Sequence, residues 1–407
     1  MGPRPAATAE AVAAAAADSY TRIVATLIRV TGDWTLAEDS AQEALALALE
    51  KWHRDGVPAN PGGWLMTVAR NRATDVLRRA SVERRKLQEL AELTPAAPPP
   101  HPEEEVVDDR LRLIFTCCHP ALALEARVAL TLRTVCGVPA ADIARAFLVS
   151  HATMTRRLTR AKSKIADARI PYAVPRGPAL AERLPGVLGV LYVLFTRGYV
   201  ADGEPAFAEE AVRLARLLHE LLPGQDEVAG LLALLLFQHS RRDARRDGRG
   251  DLLRLDRQDR GRWDRAAIRE GLETLAAARS DGPYVLQARI AACHATAPAA
   301  DATDWRAIAG WYDELLQIHP SPVIALNRAV AHGYAYGPSA GLALLDQALA
   351  TGALEHYPLA VAAQADLTAR LGHRGGAAAL FRQAAALLPA GSERRALLER
   401  AEDLEFT

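Results

Sequence analysis

An all-α fold is what the sequence predicts, and three observations predict it. Ala, Leu and Arg dominate the composition, β-branched residues are sparse, and only 5% of the residues are aromatic. That mixture favours helix almost throughout. Apolar and small residues recur at offsets of four and three in several separate stretches, the spacing of one helix face. Pro- and Gly-rich segments cut the helical stretches apart at a few places. With 407 residues, half of them hydrophobic, two or three domains with sizeable cores are expected.

Taken in order, residues 18–53 read as two helices broken at "TGDW", 31–34. The second, "TLAEDSAQEALALALEKW", has an apolar face and acids near its start, as the helix dipole prefers. "RDGVPANPGG", 54–63, is a turn-rich loop, and a basic helix runs from about Trp64 to Leu90. "LTPAAPPPHPEEE", 93–105, proline-rich and then acidic, is a linker. Residues 106–168 are helical again, "RIPYAVPRGP" at 169–178 is a second linker, and 179–407 is helical to the end. The expected domains are therefore 1–92, 106–168 and 179–407.

The last domain repeats itself. Ala211, Ala215, Leu218 and Pro223 stand at offsets of four, three and five. The spacing recurs at Ile308, Tyr312, Leu315 and Pro320, at Ala377, Phe381, Ala384 and Pro389, and more weakly at Gly341, Leu345, Ala348 and Ala353. The first three positions of each unit share one helix stripe, and in three of the four units a proline closes the helix. This is the spacing of the second helix of a tetratricopeptide repeat, and an irregular helical domain is the other reading.

Two stretches carry chemistry. In "PAADIARAFLVSHATMTRRLTRAKSKI", a short helix turns Ile143 and Ala144 inward, "LVS" makes a tight turn, and Ser150 caps a second helix with Thr153 at its third position. That is a helix-turn-helix, whose second helix offers His151, Thr153, Thr155, Arg156 and Arg160, then Lys162 and Lys164, to base edges and phosphates. In "GGWLMTVARNRATDVLRR", 62–79, four arginines follow one tryptophan. With Arg84, Arg85 and Lys86 beyond, the cations face only Asp75 and Glu83, a density that a polyanion would neutralise. Trp64, with Asn60 in the loop before it, suits the stacking of an unpaired base, or else anchors a core.

Residues 18–168 resemble the extracytoplasmic-function sigma factors of bacterial RNA polymerase. "LAEDSAQEALALALEKW" looks like the region-two helix that docks on the polymerase clamp, which implies core-polymerase contacts at Asp39, Gln42 and Glu43. "NPGGWLMTVARNRATDVLRR" looks like the part that melts and reads the minus-ten element, implying DNA contacts at Asn60, Trp64, Arg70, Asn71, Arg72, Arg78 and Arg79. The helix-turn-helix looks like region four, whose minus-thirty-five contacts fall on Ser150, His151, Thr153, Thr155, Arg156, Arg157, Arg160, Lys162 and Lys164. The whole chain is similar to a subgroup with a C-terminal tetratricopeptide-like domain. "LIFTCCHPALALEARVALTLR" at 113–133, "LYVLFTRGYVADGE" at 191–204 and "LDRQDRGRWD" at 255–264 add to that resemblance. It implies core RNA polymerase and promoter DNA as partners, with an intramolecular or peptide partner for the repeats.

Other classes have less to stand on. Net charge is zero, with 49 basic and 49 acidic residues, so the asymmetry is local. Four scattered cysteines make no disulfide framework, and "CCH" at 117–119 lacks companions for a tetrahedral metal, so no metal or cofactor is expected. GxxxxGK[ST], HExxH and dinucleotide glycine patterns are missing, so the chain is not expected to be an enzyme. The apolar run "PGVLGVLYVLF", 185–195, is too short to span a bilayer, and a cytoplasmic protein with no membrane partner is expected. The rival reading is a one-component helix-turn-helix regulator with a ligand-sensing repeat domain, which needs no acidic helix at 36–52.

Overall fold

A computed structural model describes residues 5–88, 108–147, 149–199, 205–248 and 253–406. The expected linker at 93–105 lies outside the described residues. The described chain is helical, without a strand, and divides into two compact units, Met1–Leu194 and Phe195–Thr407.

In the first unit, α1 (Pro5–Thr31), α2 (Trp34–Asp55) and α3 (Pro61–Gln88) pack as three mutually contacting helices. The break at 31–34 has clear local causes. Gly32, at φ 68°, returns its N–H to the Ile28 carbonyl and ends α1, while the Asp33 carboxylate accepts from the Thr35 and Leu36 amides and starts α2. Ala37, Ala41, Ala44, Ala48 and Trp52 form the buried stripe of α2, whose four alanines let the neighbouring helices approach closely. The basic helix begins at Pro61 rather than Trp64, because Pro at the first helical position is already set for the turn and Asn60 caps it.

The rest of the unit is α4 (Asp109–Cys117), α5 (Leu124–Leu130), α6 (Ala140–Ala146), α7 (His151–Asp167) and α8 (Pro178–Tyr199), whose last turn crosses the unit boundary. A π-helical turn, Thr131–Val135, continues α5. The loop at 169–178 is tied down: the Tyr172 hydroxyl donates to the carbonyls of Ala25, at 2.9 Å, and Asp109, at 3.3 Å, and its ring meets Trp34 edge-on. The apolar run at 185–195, expected to be too short to span a bilayer, is part of a longer helix. It lies in the 22-residue α8, which is long and apolar enough by length and composition to cross a membrane. In the structure α8 buries Leu184, Val187, Leu188 and Leu191, and its Arg183 donates to the Phe115 carbonyl at 2.6 Å.

The second unit is a succession of helices packed mainly on their near neighbours in the chain: α9 (Pro205–Leu221), α10 (Asp226–His239), α11 (Arg265–Ala276), α12 (Pro283–Thr296), α13 (Trp305–Ile318), α14 (Pro322–Tyr336), α15 (Pro338–Leu349), α16 (Pro358–Arg370), α17 (Arg374–Ala386) and α18 (Ser392–Phe406). Each expected repeat stripe is buried in its helix. Ala211, Ala215 and Leu218 are buried in α9, Gly341, Leu345 and Ala348 in α15, and Ala377, Phe381 and Ala384 in α17. Ile308 and Leu315 are buried in α13, with Tyr312 half-buried beside them. Small residues set the closest approaches: a Cβ on Gly341 would lie 2.7 Å from the Gly333 Cα of α14.

Candidate nucleic-acid interface

The helix-turn-helix is α6 and α7. Pro139 precedes α6, Ile143 and Ala144 are buried at the crossing, and the Ser150 hydroxyl accepts from the Thr153 amide at 3.2 Å. Met154, Leu158, Ala161 and Ile165 form the buried stripe of α7, at offsets of four, three and four. Away from it, Ser150, His151, Thr155, Arg156, Arg160 and Lys164 are exposed, and Thr153 is half-buried. Arg156, Arg160 and Lys164 stand four residues apart, so they form one cationic ridge. An exposed cationic ridge with polar residues at the helix start suits phosphates and base edges.

Two expected DNA residues on α7 face elsewhere. Arg157 is half-buried and reaches Glu125 at 3.3 Å. Lys162 is 19% exposed and its ammonium lies 3.0 Å from a carboxylate oxygen of Glu38 on α2. Their positions beside Leu158 and Ala161 turn them toward the rest of the unit.

Glu38 itself is a group that the sequence pattern did not single out. It is 3% exposed, yet it takes three partners from the second helical group of the unit. Arg133 lies 3.2 Å away, Lys162 at 3.0 Å, and the Thr134 hydroxyl donates to it at 2.8 Å. The π-helical turn places Arg133 and Thr134 for this contact, and its Val135 carbonyl accepts from Thr21 on α1 at 2.7 Å. Tyr20, beside them, has its phenol pushed up to about 12, first by burial and then by the Glu38 charge. The available signal was an acid set next to the small-residue stripe of α2.

On the exposed side of α2, Asp39, Gln42 and Glu43 share one face. Glu43 accepts from Arg72 of α3 at 3.0 Å, so a residue expected at polymerase and one expected at the minus-ten element are paired. Arg70, Asn71, Arg78 and Arg79 are exposed along α3. Asn60 is exposed but its side-chain oxygen accepts from the Gly63 amide at 2.9 Å, a capping role. Trp64 is half-buried, its ring edge-on to buried Trp52 with centroids 5.5 Å apart. A cleft of about 700 Å³ opens beside these residues, lined by Arg22, Val57, Asn60, Gly63 and Met66 among others. The side chains of Arg84, Arg85 and Lys86 lie outside what is described.

Cys117 and Cys118 are buried free thiols, Cys118 lying 3.7 Å from the Thr131 hydroxyl with its thiol pushed up to about 11 by burial. His119 spends Nδ1 accepting from the Ala121 amide. Among the described residues no group of three or more His, Cys, Asp or Glu is arranged to hold a metal ion.

Three families match the chain: Sigma-70 region 2 over residues 17–82, Sigma-70 region 4 over 112–165, and the Family of unknown function (DUF6596) over 183–279. "Uncharacterized protein R00370" of Rhizobium meliloti (strain 1021) is 42% identical over 340 residues, covering 79% of each chain. Among solved structures, yeast Tom70 aligns over 98% of this chain and 87% of its own at 12% identity, with a TM-score of 0.36, too low to assign a fold.

Proposed function

Because the chain belongs to the sigma-70 family, with region 2 and region 4 in order ahead of a region of helical repeats, we propose that it is a promoter-specificity subunit that binds core RNA polymerase and directs initiation. The two regions give it a sigma-factor-type role in transcription initiation, a role that needs binding surfaces and no catalytic group. The observation that carries the finer reading is the division of labour among exposed faces. An acidic face at Asp39, Gln42 and Glu43 is set to meet polymerase, a cationic helix holding Arg70, Asn71, Arg78 and Arg79 is set to meet the minus-ten strand, and the Arg156–Arg160–Lys164 ridge is set to meet the minus-thirty-five duplex. Charge complementarity of this kind fixes register and orientation. Arg72, Arg157 and Lys162 support those surfaces from behind in the free chain.

Asp39→Lys is the cleaner test of polymerase docking, since Glu43 also holds Arg72. The variant should keep its helical content and lose co-purification with core polymerase. Retained co-purification would remove the acidic face from the reading and leave a regulator that works through duplex binding alone. In vitro transcription with core polymerase and a genomic fragment library identifies the promoter.

The helical repeats are proposed to tune this activity in cis. A chain ended after Tyr199 keeps α8 whole and the first unit complete. Its promoter-dependent transcription should differ several-fold from that of the full chain. An equal rate with equal promoter choice would make the repeats a passive recruitment arm.

A further inference from the structure

The segment "LDRQDRGRWD", 255–264, takes no part in the surfaces described above, and in the structure it forms one wall of a cleft of about 630 Å³ in the second unit. That volume falls in the range of small-molecule pockets. Further lining comes from four different helices: His294 of α12, Trp305 of α13, Tyr334 of α14 and Arg370 of α16.

Three guanidinium groups line this cleft, Arg254, Arg260 and Arg370, against two carboxylates, Asp256 and Asp301. Aromatic rings hold two of the three in place. Trp305 and Tyr334 stack with centroids 4.3 Å apart, and Arg370 lies over the Tyr334 ring at 4.0 Å. Arg260 lies over Trp263 at 4.4 Å, and its Nη1 donates to the carbonyls of His294 and Ala297, both at 2.8 Å. Guanidinium groups fixed in this way lose little freedom on binding, and their forked donors match carboxylate and phosphate oxygens.

Two buried polar atoms of the same residues have no hydrogen-bond partner, Nη2 of Arg260 and Nδ1 of His294. Buried polar atoms without partners are uncommon in folded proteins, and these two sit on residues joined by the Arg260–His294 hydrogen bond beside the cleft. The imidazole also reports the local field. Burial, then the charges of Arg241 and Arg260, push His294 down to about 4, so the wall holds a neutral ring in a positive potential.

We propose that this cleft is a binding site for a small organic polyanion bearing carboxylate or phosphate groups, held by Arg254, Arg260 and Arg370 beside the Trp305–Tyr334 stack. The site joins the segment matched by the family of unknown function to the helices that follow it, so its occupant bridges both parts of the second unit.

The full-length chain is titrated with citrate and, separately, with inorganic pyrophosphate at constant ionic strength, following tryptophan fluorescence and thermal unfolding. At least one probe should give a saturable response with an apparent Kd of about 1 mM or tighter. Arg254→Gln and Arg370→Gln should each weaken it roughly tenfold or more while far-UV circular dichroism stays unchanged. If Arg370→Gln does not fold, Arg254→Gln decides, since Arg254 pairs with its near neighbour Asp256. No saturable response to either probe, or equal binding by the folded variants, overturns the proposal. The assay contains neither polymerase nor DNA, so its failure leaves the transcription reading standing.

Discussion

Arg156 and Lys162 sit on one helix and meet opposite surroundings. Six residues carry the chain about 600° around an α-helix, leaving the two roughly 120° apart. Arg156 falls on the exposed ridge, while Lys162 follows buried Leu158 by one turn and meets Glu38. Counting cations in "TRRLTRAKSKI" therefore overstates the binding face, and placing each against the Met154–Leu158–Ala161–Ile165 stripe corrects it. His294 makes a residue-scale prediction. Its folded pKa lies below the ordinary histidine value, so the unfolded chain takes up the proton first as pH falls. The stability it contributes is present above the unfolded value near 6.5 and is lost progressively down to about 4. Between about pH 8 and about pH 5 this should remove about 2 kcal/mol. Urea unfolding of His294→Gln should show a loss smaller by about that amount, even though His119 and His239, also lowered by burial, act in the same direction in both proteins. An equal acid loss in both would rule out His294 as the source.

At the scale of elements, α12 starts without a capping side chain of its own. Glu227 of α10 supplies the acceptor from across the packing interface, taking the Tyr284 and Val285 amides at 3.1 Å. Glu227→Ala should cost about 1–2 kcal/mol, the range for losing a helix cap, and lower the Tm of the second unit by a few degrees. Scanning calorimetry checks it, with Glu227→Gln expected to cost less because an acceptor remains. The helices and their stripes were legible in the sequence because they rest on local periodicity: Ala211, Ile308, Gly341 and Ala377 each open a stripe that the fold buries. The helix-turn-helix was legible for the same reason, through Ile143, Ala144 and the Ser150 cap. What was not legible depends on partners distant in sequence. The Glu38 cluster spans separations of about a hundred residues, the π-helical turn leaves no periodic mark, and Tyr172 sits in a stretch whose prolines read as a free linker. The Asn60 cap had a local signature, Asn-Pro before a helix, which a reading directed at DNA contacts passed over.

At the scale of the whole molecule, the proposed function sets a distance that the structure can be measured against. Two promoter elements about 25 base pairs apart are separated by roughly 85 Å of duplex. A compact body the size of Met1–Leu194 has a radius of gyration of about 16 Å and is roughly 40 Å across. With α2 and α7 joined through Glu38, the first unit is too small to reach both elements, so the proposed function requires the two helices to part on the promoter. A FRET pair at exposed Lys51 and Ser163 should give strong transfer in the free chain and weak transfer in the polymerase–promoter complex. Persistent strong transfer would mean that one element is read by something other than this chain. Under that proposal the buried carboxylate acts as a threshold. If core polymerase binds the open arrangement alone, its apparent affinity equals the intrinsic affinity multiplied by the open fraction, and every 1.4 kcal/mol of closure divides it by about ten. On the proposed reading, one buried glutamate sets how much free polymerase is needed before this chain can bind it.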